Sequence, residues 1–148
     1  KRMKKMEYKI LAKYVKDLRF FIPNADVFFL LAKNISNYKI NFDIKSAQIK
    51  KNLIEVETSL TLNPKEKDFE KIDTKIIYAA VVQLGGDVMD KDELEKIILA
   101  KVPLEIYPEI REIFITLFEK SGFKDIKIDK YVDFENLYKK RKINKNFS

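Results

Sequence analysis

Cysteine and histidine are both absent from the 148 residues of the chain. That excludes disulfides, cysteine nucleophiles, histidine-based triads and any zinc site built on imidazole or thiolate ligands; only carboxylates remain as metal ligands. Long apolar runs are missing as well. The longest, Val27 to Ala32 and Ile76 to Val82, fall far short of the roughly 20 residues that a membrane-spanning helix needs. There is no glycine-rich phosphate loop: Gly85-Gly86 has neither the spacing nor the Lys-Ser/Thr of one, and it reads as a strand-ending turn. Lys1 to Lys5 is basic, but no apolar segment follows, so no secretory signal is expected. The expected compartment is the cytoplasm. Lys1 stands where an initiating methionine would, which suggests a processed or partial chain.

What is present argues for one folded domain over 1–148. Hydrophobic residues make up 46% and aromatics 12%, and a chain of this length can bury a substantial core. The net charge of +7 is unevenly spread: residues 1–19 carry eight basic and two acidic groups, and 139–148 carry five basic groups and no acid. The body between them is therefore net negative. The ends, about 1–9 and 142–148, read as basic tails.

Periodicity predicts the elements. Lys13 to Pro23 reads as a strand, with Leu18, Phe20 and Ile22 alternating against Asp17, Arg19 and Phe21 until Pro23 ends it. Asn24 to Ser36 reads as an apolar connector. Tyr38 to Ser46 alternates strictly, as does Leu53 to Leu62, and Asn63-Pro64 and a charged loop, Lys65 to Lys71, follow. Ile72 to Leu84 is a fourth strand, apolar on both faces from Ile76 to Val82, which predicts a central position or cover on both sides. Short joins favour antiparallel pairing. The period then lengthens. Asp90 to Glu93 has capping-box spacing for a short helix reaching Ala100, which Pro103 interrupts. Pro108 suits the first turn of a long helix with Ile110, Ile113, Phe114, Leu117 and Phe118 at helical spacing and Tyr107 and Ile115 widening the stripe; Gly122 ends it. Asp133 can cap a C-terminal helix. The class is α+β: a four-stranded antiparallel sheet, then a long helix and a C-terminal helix.

Catalysis has little to work with. Asp90, Asp92 and Glu93 could hold a hard cation, but their place at a helix start accounts for them. Serine and threonine have no histidine to activate them. No enzyme, metal or cofactor is expected. A basic-tailed nucleic-acid-binding module is the alternative from another class; the acidic body and the core-like phases of the aromatics oppose it. The set of apolar faces exceeds what one sheet-and-helix layer covers, which signals an oligomer interface or a groove for apolar ligands.

Three stretches resemble the SecB family of protein-export chaperones. They are Tyr14 to Ala25, ending Pro23-Asn24-Ala25; Val102 to Arg111, with its two bracketing prolines; and Phe123 to Tyr138, ending Val132-Asp133-Phe134-Glu135-Asn136-Leu137-Tyr138. The resemblance spans about Ile10 to Arg141. It implies a tetramer built as a dimer of dimers, and an ATP-independent holdase that keeps preproteins unfolded for the Sec translocase. By position, Ile40, Phe42 and Ile44 match the family's apolar client groove, with Phe28, Phe29, Tyr78, Leu137 and Tyr138 as further lining. The family docks the SecA ATPase through acids on an exposed sheet face. Asp17 stands at one such position, while Phe21 and Ile77 occupy two others, and the C-terminus is basic where the family's is acidic. Asp17, Glu55 and Glu57 are then the residues to propose for SecA. The alternative within the fold is a chaperone dedicated to few clients, such as an antitoxin, without SecA.

Overall fold

A four-stranded antiparallel sheet in the order β1-β4-β3-β2 carries the architecture. Its strands are β1 (Tyr8–Phe21), β2 (Tyr38–Lys50), β3 (Leu53–Pro64) and β4 (Asp73–Leu84). The helices are α1 (Ala25–Asn34), α2 (Lys91–Lys96), α3 (Val102–Lys120) and α4 (Phe134–Phe147). The computed structural model describes residues 7–85, 90–124 and 126–147, with side chains as far as 140. Gly86 of the expected turn and the first six residues of the basic N-terminal segment lie outside the described residues. The α+β class and the central place of β4 agree with the sequence reading.

β1 is longer than the alternation from Lys13 suggests, and it takes in Tyr8 and Lys9 of the expected tail. The register against β4 slips between Ile10 and Ala12 and again between Val15 and Asp17. Each slip adds one residue and inverts the side-chain phase, as a bulge does. Tyr8 and Ile10, then Lys13 and Val15, then Leu18 and Phe20 therefore share one face, although no single period of two links them. β2 also runs on to Lys50, beyond Ser46, because backbone pairing with β3 continues where side-chain burial has stopped. Asn52 turns the chain with φ 61°.

The expected connector after β1 is instead a helix. Asn24 caps it, its Oδ1 accepting the Val27 N–H at 2.9 Å, with Asp26 in the first turn and Lys33 in the last. Apolar residues on several sides hide its period: Leu31 is buried, whereas Phe29 and Leu30 are exposed. Its length has a geometric reason. β1 and β2 are opposite edges of the sheet, so the link must cross three strand spacings of about 4.8 Å. Ten helical residues rise about 15 Å.

The two prolines do not bound helices as the sequence suggests. α2 passes through a π turn, Ile97–Lys101, directly into α3, and Pro103 lies in the first turn of α3. The carbonyl that Pro103 leaves without a donor belongs to Leu99, inside that π turn, where the pairing is already shifted. Pro108 lies inside α3. It and Leu104, four residues earlier, are both exposed, so water reaches the carbonyl that Pro108 cannot satisfy. Gly122 does end the helix, with φ 95°, just beyond the C-cap Ser121.

α3 lays Val102, Ile106, Ile110, Phe114 and Phe118 on one face of the sheet, all fully buried. Beneath it are Val56 and Leu60 of β3 and Ile76, Ala80 and Val82 of β4, each at most 1% exposed. The edge strands are less covered: Ile40, Phe42 and Ile44 of β2 are half-buried, and Val15 and Leu18 of β1 stay 45% and 48% exposed. Aromatic rings close one end, with Phe20, Phe28 and Phe118 all packed around Phe123.

Gly122→Ala is expected to destabilise by about 1–2 kcal/mol, the cost of a side chain in left-handed backbone. The new Cβ would also lie 2.9 Å from the Phe28 ring. Denaturant unfolding at fixed protein concentration reads the shift.

Candidate functional site

Period two along β2 sends Tyr38, Ile40, Phe42 and Ile44 to the face that α3 covers, but α3 sits over the middle strands. The far side of this strip is walled by residues 126–133 and the start of α4. Tyr107 of α3 donates its hydroxyl to the Asp129 carbonyl at 2.5 Å, and Arg111 Nε donates to the Ile128 carbonyl at 3.3 Å. These two bonds tie an irregular segment to a rigid helix. Burial pushes the Tyr107 phenol above its ordinary pKa, so it stays a donor. Asp133 then caps α4, its Oδ1 accepting the Asn136 N–H at 2.9 Å.

Between strand and wall lies a cavity of about 930 Å³. Ile35, Ile40 and Phe42 line one side, and Ile126, Tyr131 and Leu137 the other. Phe42 and Tyr107 line it, and with Phe134 behind them they make three edge-to-face contacts, with ring centroids 5.3 to 5.9 Å apart. Past Phe42 a smaller cavity of about 170 Å³ continues, lined by Ile44, Leu99, Phe134 and Tyr138. Phe42 and Leu137 border both, so the two cavities adjoin along the strand. Its rim keeps apolar area in water: Tyr131 is 63% exposed and Leu137 45%.

Of the residues the sequence nominates, Ile40, Phe42, Ile44, Leu137 and Tyr138 come together here. Tyr78 does not; it is 7% exposed and faces a different cavity of about 480 Å³ on the β1 side, with Val15, Leu18, Glu109 and Ile113. Phe28 packs on Phe123, and Phe29 is exposed on α1; neither lines these cavities. Ile35 on the strand side and the wall residues Ile126, Ile128, Tyr131 and Val132 escape a sequence reading. They follow no helix or strand period, and the spacing of Ile126 and Ile128 is the one signal they offer.

The opposite sheet face is polar. Lys16 Nζ lies 2.7 Å from Glu55 and 3.1 Å from Glu57, and the Tyr14 hydroxyl donates to the other Glu55 oxygen. β4 separates these strands, and Ala79 lies in register between Tyr14 and Glu57. Its single methyl leaves room for Lys16 to reach across. Lys16 and Tyr14 hold the Glu55 carboxyl below its ordinary pKa. Asp17 is exposed opposite Ile77 and makes no ion pair among the described residues.

A depressed carboxyl contributes stability that is present above the unfolded value, about 4.3, and lost as pH falls through the folded one. Glu55→Gln lacks this contribution. Its unfolding midpoint is expected to fall less than the parent's between about pH 5 and about pH 3, as thermal melts across that range would show.

Among the described residues no helix is long and apolar enough to cross a membrane. The family model for preprotein translocase subunit SecB matches residues 1–145. The putative protein-export protein SecB of Pelagibacter ubique is 39% identical over 134 residues, covering 90% of this chain and 96% of that one. The protein-export protein SecB of Orientia tsutsugamushi is 28% identical, covering 86% and 79%. The SecB-like chaperone of Mycobacterium tuberculosis, solved in complex with a ChAD peptide from the HigA1 antitoxin, shares the fold with a TM-score of 0.61 at 15% identity, over 82% of this chain and 89% of that one. The chain belongs to the SecB family.

Proposed function

We propose that this protein is an ATP-independent holdase that binds unfolded preproteins and keeps them competent for Sec-dependent export from the cytoplasm. The observation that carries the reading is the pair of adjoining cavities beside β2, with Phe42 between them and an exposed apolar rim. Burying apolar area contributes about 25 cal/mol per Å² whatever the sequence that supplies it. Affinity set by area rather than by residue-specific bonds suits many clients. An unfolded chain offers apolar side chains in extended segments; a folded one hides them. The protein acts here as a binding module and not as an enzyme. The relatives named for protein export support the preprotein as client.

The working form is a tetramer. Val15 and Leu18 of β1 are each 45% exposed or more, beside Ile113 and Leu117 of α3. That apolar strip on an edge strand fits burial against a second copy. SecA docking, if this chain uses it, falls to Asp17, Glu55 and Glu57. Lys16 already pairs with both glutamates and offsets half of their charge, and Phe21 and Ile77 stand where acids are expected. This favours the second reading, a chaperone dedicated to few clients. The fold relative bound to an antitoxin peptide supports it too.

Light scattering with a slow-folding, unfolded polypeptide tests the proposal. A tetrameric particle that captures the unfolded chain and ignores its folded form is the expected result; no capture would remove the holdase reading. Phe42→Asp should weaken client binding about thirtyfold, as expected for a central aromatic anchor, without changing the particle mass. Leu18→Glu should reduce the mass and leave the circular dichroism unchanged. Asp17→Lys should abolish binding to purified SecA; an unaffected complex would place the docking surface elsewhere.

A further inference from the structure

We infer that Tyr107 and Arg111 are positioning residues of the client site: they hold its wall off β2, so that the larger cavity stands open before a client arrives. This rests on the holdase reading and concerns how that site is kept ready. Ile40 and Phe42 line one side of the cavity, and Ile126 and Leu137 line the other. Apolar surfaces that face each other across water gain free energy by closing. Something must therefore keep them apart. The wall, residues 126–133, contains no helix or strand. Among the described residues, only two hydrogen bonds join 126–132 to α3 or to the sheet. They come from Tyr107 and Arg111, and they meet the neighbouring carbonyls of Asp129 and Ile128.

Both donors are themselves fixed. The Tyr107 ring is 1% exposed and packs edge-on with Phe42 and Phe134. A tyrosine side chain turns about two bonds, so a packed ring leaves its hydroxyl one place to be. Arg111 lies one turn further along α3, on a helix that buries Ile110 and Phe114 completely. Ile128 is buried at the same point and adds an apolar hold. The distance of the wall from β2 is thereby inherited from the core. The cavity on the β1 side differs: its lining comes from β1, β4 and α3, which are regular elements held by their own backbone bonds. A site that is open in advance binds without a prior conformational step, which keeps association fast.

Stopped-flow fluorescence with a dye-labelled, permanently unfolded polypeptide and the intact protein in excess tests this. For the parent the observed rate should rise linearly with protein concentration. Tyr107→Phe keeps the ring, and Arg111→Met keeps most of the stem, but together they remove both donors. In that double variant the rate is expected to level off at high concentration, and Kd to weaken about tenfold, as when about a tenth of the molecules hold the wall in place. The dissociation rate should stay near the parent's, because the bound state is the same. Arg111→Lys restores a donor and should recover part of the association rate that Arg111→Met loses. Hydrogen exchange of amides 126–132 should quicken in the client-free double variant and slow again with client bound. Ile76→Val, in the core beneath α3, lowers stability without removing either bond and should leave the rate linear. Linear rates and an unchanged Kd in the double variant would overturn the inference while the holdase stands. So would equal slowing by Ile76→Val, since general loosening would then explain the effect. Should the double variant fail to fold, Tyr107→Phe and Arg111→Lys singly carry the same test, each with a smaller loss. If the parent captures no client, the holdase reading fails and takes this inference with it.

Discussion

One helix on a four-stranded sheet is too narrow to cover it, and the rest of the molecule follows from that mismatch. A helix with its side chains is about 10 Å across, whereas four strands span roughly 19 Å. α3 takes the middle of the sheet, and the residues of β3 and β4 beneath it are almost completely buried. On each side an apolar strip of an edge strand remains. On the β2 side, residues 126–133 and α4 stand off from the strip and leave a groove. On the β1 side Val15 and Leu18 stay about half exposed among the described residues. The two surfaces of interest are thus the two margins of one covered face: a walled groove on one side and an open edge on the other.

The wall of the groove is irregular, yet it is held. Tyr107 and Arg111 are one helical turn apart on α3, and each donates to a carbonyl of the wall. The same Tyr107 ring packs against Phe42 and Phe134. A single side chain therefore joins the helix, the edge strand, the wall and α4. Because Tyr107 is 1% exposed, its hydroxyl would be costly to leave unpaired, which makes the wall's position part of the core and not a surface detail.

The outer face follows another logic. Ala79 is small, so Lys16 of β1 can reach acids on β3 across the intervening strand. Charges that look free on an alternating strand are thereby paired within the chain. Exposed pairs of this kind add little stability, but they lower the negative potential that a basic partner would meet. Glu55 and Glu57 read in sequence as a polar face open to partners, and spacing along β3 alone could not reveal a lysine arriving from two strands away.

Local chemistry sufficed for much of the fold. Strict alternation marks β2 and β3, a doubly apolar run marks β4 as central, and helical spacing with a positive-φ glycine marks α3 and its end. These are properties of neighbours a few residues apart, so one sequence carries them. Ile40, Phe42 and Ile44 share a face for the same reason. Other features depend on contacts remote in sequence. The two bulges of β1 conceal its length, because the phase changes only when pairing with β4 is known. α1 is helical because the chain must cross from one sheet edge to the other, and Pro103 and Pro108 are tolerated because a π turn and solvent absorb their missing donors. The placement of Tyr78 away from the groove, and of Ile126 and Tyr131 within it, was likewise decided only when α3 settled on the sheet. A residue's face is a local property, but the partner it faces is set by packing.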